Sequence, residues 1–154
     1  MTSAARASDP TGVVAVTDVK QLLNSAELTD IVFYETRACR VVDDAPEADG
    51  SAQGFSMQIM LRVESQLLEV RCKAQAEGLG GQYVSDASAV FSLSEPSDID
   101  EDTVRIFAEK VGVMAVYPYI RESITQGGAR LGLERPILPL LRAGDVKLGN
   151  PDQS

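Results

Sequence analysis

Between Phe55 and Glu64 apolar and polar residues alternate. Phe55, Met57, Ile59, Leu61 and Val63 fall on one side, and Ser56, Gln58, Met60, Arg62 and Glu64 on the other. A period of two is the spacing of a β-strand with one buried face. After a tight connection at Ser65 and Gln66 the pattern resumes, with Leu68, Val70, Cys72, Ala74 and Ala76 alternating against Glu69, Arg71, Lys73, Gln75 and Glu77. The two segments read as an antiparallel hairpin. Gly78, Gly80 and Gly81 mark the next turn, and Tyr83 to Leu93 a further strand with Tyr83, Phe91 and Leu93 on one face. Upstream, Leu28 to Val42 is rich in β-branched and aromatic residues and reads as a long strand. The Asp-, Pro-, Gly- and Ser-containing segment Asp43 to Gly54 reads as a flexible acidic loop. Four consecutive strands joined in this way predict an antiparallel meander in an α+β fold.

Helical spacing brackets the strands. Asp18 can cap a short helix to Ala26, with Val19, Leu22 and Leu23 on one face. After Pro96, Asp98 followed by Glu101 resembles a capping box, with Asp100 and Asp102 adding favourable charge near the helix start. Val104, Phe107, Val111 and Met114 form one stripe, and Val113, Tyr117, Ile120 and Ile124 a second. From Val111 to Ile120 the helix is apolar nearly all round, so it must be covered on more than one side. One side can lie on the sheet. A small domain has little left for the other, which predicts a helix shared with a second subunit. Pro118 should kink the helix or begin a new segment, and Gly127 and Gly128 should loosen its end. Ile137 to Leu141, broken by Pro136 and Pro139, cannot be a central strand and serves as an edge or capping piece. The expected organisation is a tail over residues 1–12, one domain over 13–148 and a second tail over 149–154.

Composition narrows the chemistry. The chain has 154 residues, enough for about one domain with its own core. Its net charge of −9 repels phosphate backbones and argues against nucleic-acid binding. The absence of His removes the common triads and most zinc sites. Cys39 and Cys72 sit in no CxxC motif and read as two small buried side chains. The acidic run from Glu95 to Asp102 lacks calcium-loop spacing, and Gly78 to Gly81 lacks the ending of a phosphate loop. No residue set argues for an enzyme, a metal or a cofactor. Val13 to Val16 is too short for a signal peptide and Val111 to Ile120 too short for a membrane span, which predicts a soluble, cytoplasmic protein with no membrane insertion. Two features suit a binding surface: Met60 on an otherwise polar strand face, and the apolar, proline-broken run from Pro136 to Leu141 as a groove wall.

The stretch Val116-Tyr117-Pro118-Tyr119-Ile120-Arg121-Glu122 resembles the helix start of SecB-type export chaperones, where a Phe- or Tyr-Pro-Tyr-x-Arg-Glu sequence follows a four-stranded sheet. Arg130 and the closing Pro136, Leu138, Pro139 and Leu140 fit the same order, and the short first helix and first long strand are more similar to the toxin–antitoxin-associated, SecB-like branch. The resemblance spans roughly residues 18–141 and implies an ATP-independent holding chaperone that keeps unfolded or aggregation-prone clients in hydrophobic grooves. It implies assembly as a dimer of dimers, with SecA or an antitoxin as possible partners. The groove residues it suggests are Met57, Met60, Val116, Ile137, Leu138, Leu140 and Leu141, and the interface residues Val113, Tyr117, Tyr119, Ile120 and Ile124. The family's acidic contact for SecA has no clear counterpart beyond Glu64 and Glu69, and the C-terminus lacks the Cys and His of a zinc-dependent contact. The alternative is a non-chaperone α+β module that binds one small apolar ligand or one fixed protein partner.

Overall fold

The computed structural model describes residues 12–42, 54–142 and 145–148; the expected tails at 1–11 and 149–154, and residues 43–53 of the expected loop, lie outside the described residues. The elements are β1 (Val14–Val16), α1 (Val19–Ser25), β2 (Ala26–Arg40), β3 (Gly54–Glu64), β4 (Leu67–Gly78), β5 (Gly81–Leu93), β6 (Ser97–Ile99), α2 (Glu101–Phe107), a π-turn (Ala108–Gly112) and α3 (Val113–Arg130).

The long strands form the expected four-stranded antiparallel sheet, but its order is β2-β5-β4-β3. Only β3, β4 and β5 follow one another as hairpins. The β4–β5 turn is Leu79-Gly80, and both residues have positive φ (53° and 84°), the backbone that matches the twist of a two-residue hairpin. Strand β2 pairs with β5, from Ala26↔Leu93 to Arg40↔Gly81, rather than with its chain neighbour β3. Arg40 and Gly54 therefore stand on opposite edges of the sheet. Periodicity says which face of a strand is buried and nothing about which edge it joins, so the meander order was not recoverable from pattern. Register shifts between Leu28 and Asp30 and between Phe33 and Glu35 bulge β2. The second places Tyr34 on the sheet face away from the helices, against Arg71 and Glu69.

A small parallel pair, β1 with β6, was not foreseen. Three-residue strands carry no usable period. It also corrects the helix start: Asp98 lies in β6, and Asp100 occupies the cap position of α2. Asp18 caps α1 as expected, accepting a hydrogen bond from the Lys20 N–H at 3.2 Å. Leu22 is buried there, whereas Leu23 is exposed. Of the cysteines, Cys72 is buried and Cys39 exposed, so the expectation of two buried thiols holds for one. Burial pushes the Cys72 thiol up to about 12, so it packs as a small apolar group.

Helix α3 lies on β4 and β5. Leu68, Val70, Cys72 and Ala74 of β4 and Ala87, Ala89 and Phe91 of β5 meet Phe107, Val113, Val116, Ile120 and Ile124 in one core. Phe91 and Phe107 touch edge to face, with ring centroids 5.0 Å apart. The π-turn ends at Gly112, where a Cβ would lie 2.4 Å from Val70 Cγ2, so the absence of a side chain lets helix and sheet approach. The helix runs through Pro118 and on through Gly127 and Gly128 without interruption. The two glycines do not loosen it. A Cβ on Gly128 would lie 2.5 Å from Pro136, and one on Gly127 3.1 Å from both Ala38 and Tyr83.

Candidate functional site

After Arg130 the chain reverses and runs back beside α3 without regular structure. The Thr125 hydroxyl donates to the Pro136 carbonyl at 2.9 Å, the Tyr117 hydroxyl donates to the Pro139 carbonyl, and the Leu148 N–H donates to Glu109 Oε1 at 2.7 Å. These three bonds lie progressively closer to the helix start, so the segment straps the flank of α3 nearer β3. Its prolines leave carbonyls that no strand uses, and helix side chains take them.

This strap supplies the covering surface that the sequence assigned to a second subunit. Val113, Tyr117, Ile120 and Ile124 are buried within their own chain, Ile120 completely (0% exposed). Of the five residues expected at an interface, Tyr119 is the exposed one, at 47%. Tyr119 stands over a depression of about 440 Å³ between α3 and β2, lined by Phe33, Thr36, Ala38, Ser123 and Gln126 among others. Phe33 and Leu28 of the edge strand β2 are also exposed.

The expected groove residues separate. Val116 and Leu138 are core side chains and unavailable to a ligand. Met57 is half-buried on the helix side of β3, opposite Ala74, while Met60 is half-buried on the other side, opposite Arg71. They cannot line one groove, because successive odd and even positions of a strand face apart. Ile137 and Leu140 are each 72% exposed, and Leu141 is half-buried.

The structure instead brings Met57 into a row that pattern alone described as one buried face. Phe55, Met57 and Ile59 pack partly on the core, whereas Leu61 and Val63 are exposed. β3 is an edge strand, with β4 as its neighbour. Where the strap meets the start of β3 there is a hollow of about 160 Å³ between Phe55, Ala76, Tyr83, Pro136, Leu138 and Pro139. At the same end of the sheet a wider, open depression of about 500 Å³ lies over Ser56, Gln75, Gln82 and Val84, residues of the opposite face.

Tyr83 lines both spaces and was not foreseen as a site residue. It is 2% exposed and its hydroxyl has no hydrogen-bond partner among the described residues. Leaving such a group unpaired costs about 1–3 kcal/mol. Burial also raises the phenol above its ordinary range. A Cβ on Gly81 would lie 2.2 Å from that hydroxyl oxygen, and one on Gly128 3.3 Å from it. Glycines thus make the space in which the phenol lies.

The opposite face of the sheet is built differently. Arg71 grips Asp86 with two bonds (Nε–Oδ1 2.9 Å, Nη2–Oδ2 2.7 Å) and stacks 3.9 Å under the Tyr34 ring. Tyr34 donates to Glu69 Oε1 at 2.6 Å, and Arg62 donates to Glu69 Oε2 at 2.9 Å. The bond to that carboxylate is the main reason the Tyr34 phenol is held above its usual range. The charged groups of this face pair with one another, and Met60, Val84 and Val90 are among its apolar members.

No family model matches the chain. It is 55% identical over 137 residues to the SecB-like chaperone SmegB of Mycolicibacterium smegmatis, covering 89% of this chain and 90% of the relative. Among solved structures it is similar to the SecB-like chaperone Rv1957 of Mycobacterium tuberculosis in complex with a ChAD peptide from the Rv1956 HigA1 antitoxin. That match has a TM-score of 0.66 and 20% identity, covering 80% of this chain and 95% of the other. No described helix is long and apolar enough to cross a membrane.

Proposed function

This chain belongs to the SecB-like chaperone family, and from that membership we propose that it holds extended apolar segments of unfolded polypeptide without using nucleotide. The observation that carries the reading is the edge strand β3. Its apolar row emerges from the core at Leu61 and Val63, and its other end opens into the hollow beside the strap. An edge strand offers unpaired backbone groups to an extended chain, and an apolar row takes alternate side chains of that chain without reading a sequence. Burial at roughly 25 cal/mol per Å² suffices for broad, moderate affinity. The enclosed hollow is smaller than the ~300–1,000 Å³ of ordinary small-molecule sites. The two wider depressions, about 440 and 500 Å³, fall within that range, and a single apolar ligand there is the alternative reading.

The experiment is suppression of aggregation of several unrelated, chemically unfolded proteins in the absence of ATP. The wild type is expected to suppress all of them at near-stoichiometric ratios. Phe55→Asp puts a charge on the groove wall at a position that is only half-buried, so the fold should survive. About tenfold more protein should then be needed, from the ~1.5–3 kcal/mol that a buried aromatic contributes. Protection of one protein alone, or of none, would end the holding reading.

The solved relative carries a peptide from an antitoxin, and an aggregation-prone protein of that kind is the cargo we favour here over export. Glu69, a candidate for an acidic SecA contact, is already engaged by Arg62 and Tyr34, which gives a basic partner little to bind there.

We further propose that copies associate through the exposed edge of β2 and the Phe33–Tyr119 depression. Tyr119→Asp should leave the circular dichroism spectrum unchanged and reduce the sedimenting mass. A variant that sediments like the wild type would place the contact elsewhere.

A further inference from the structure

We propose that a bound polypeptide joins the four-stranded sheet as a fifth strand, its main chain paired with Leu61 and Val63, and that the segments held best are those in which apolar and polar residues alternate. The inference rests on the holding function above and names the class of segment that β3 takes. It begins at the turn that ends β3. Glu64 and Leu67 are register partners across Ser65 and Gln66. They must exchange their own main-chain bonds, because the other antiparallel arrangement would need the adjacent residues Ser65 and Gln66 to bond each other. Bonded pairs then alternate along the ladder. Met60, Arg62 and Glu64 bond to β4, while Leu61 and Val63 turn their N–H and C=O groups to the open edge. Among the described residues no main-chain bond from outside the sheet reaches either one.

The edge is straight as well as open. β3 keeps unbroken register with β4 from Gly54 to Glu64, whereas β2, at the opposite edge, is bulged twice. Bulges and prolines are among the devices that guard an edge against a further strand, and β3 has neither. Its end is also held in place: the Ser97 N–H donates to the Ser65 carbonyl at 2.6 Å, and the Leu93 N–H to the Gln66 carbonyl at 3.0 Å. The run from Leu61 to Glu64 is therefore exposed and yet fixed. Its two sides differ. Leu61 and Val63 present apolar side chains on the helix side, and Arg62 and Glu64 present an exposed ion pair, 3.8 Å apart, on the other. Side chains of an added strand alternate between these two surroundings. An alternating segment can set all its apolar residues beside Leu61 and Val63. A block of apolar residues sets half of them beside the ion pair and water. The pattern is selected while the sequence is not.

Two short labelled peptides with equal numbers of leucine and serine test the pattern by fluorescence anisotropy. The alternating peptide should bind about tenfold more tightly than the one with its leucines in a block. Methylating the amides of the alternating peptide one at a time tests the main chain. Binding to the wild type should fall about threefold to tenfold at every second amide and hold at those between, as one strand pairing along one edge requires. On the protein, Val63→Pro removes an outward N–H and no ladder bond, so the fold should survive, as it does with prolines on other edge strands. It should weaken binding as the effective methyl groups do, and Val63→Ala, which keeps the N–H, should weaken it less. Equal binding of the two peptides, a flat methylation scan, or no peptide binding by a protein that still holds unfolded proteins would overturn the proposal. So would a lower sedimenting mass for Val63→Pro, since the edge would then belong to a second copy. If the wild type binds none of these peptides and no unfolded protein, the holding function itself fails.

Discussion

Ile120→Asp is expected to abolish the folded subunit, not merely to separate copies of it. Were Ile120 at a seam between subunits, a charge there would disrupt assembly and spare the monomer. It is completely buried within its own chain, in the core that α3 forms with the sheet. An aspartate at this position has no cation among Val113, Val116, Tyr117 and Ile124 on its own helix face, and the Tyr117 hydroxyl already donates to the Pro139 carbonyl. The unpaired carboxylate and the lost packing together cost about 5 kcal/mol or more, comparable to the whole stability of a domain this size. The variant should be recovered unfolded or insoluble, with loss of the cooperative urea transition. Ile120→Val, which removes one methylene group, should lower stability by only about 1 kcal/mol. A folded, dissociated Ile120→Asp protein would return this residue to a subunit interface and contradict the packing described above.

Arg71→Ala is expected to lower stability by about 3 kcal/mol, read as a reduced urea midpoint with an unchanged slope. The Asp86 side chain is 3% exposed and accepts two bonds from Arg71, whose own side chain is 34% exposed. Removing the guanidinium leaves a buried carboxylate without its partner and takes away the cation under the Tyr34 ring. The value lies at the low end for a broken buried pair for two reasons. Arg71 is partly solvated, and Lys73 stands directly across the register from Asp86 as a partial substitute. Arg71→Ala combined with Asp86→Ala should recover part of the loss, because no unpaired buried charge remains. If the double variant is less stable by the sum of the two single losses, the Arg71–Asp86 pair is not coupled. Neither variant touches the β3 groove. Peptide binding measured on the fraction still folded should therefore be unchanged.

The two faces of the sheet were legible to different degrees. Alternation along β3 and β4 identified the hairpin and assigned each side chain to a face, and the glycines around Leu79 marked its neighbour turn. The Tyr117-Pro118-Tyr119-x-Arg121-Glu122 signature pointed to the family that identity over 137 residues establishes. Its two tyrosines turn out to do different work: Tyr117 holds the strap, and Tyr119 stands exposed above the β2 depression. Neither role could be assigned from the signature, since two residues apart on a helix point about 200° away from each other and pattern does not say what each meets.

What the residues determined unaided was periodic and local: which positions are strand or helix, which side of each is apolar, where the chain must turn, and that the helix around Tyr117 needs cover on more than one side. Tertiary structure alone decided which edge β2 joins, that the cover is the chain's own proline-broken strap, and that Tyr83 is left with an unpaired hydroxyl beside a hollow. The physical reason is that burial depends only on removing apolar area from water, whatever removes it. A sequence therefore states the demand for cover. Which distant segment meets that demand depends on how all the elements pack at once.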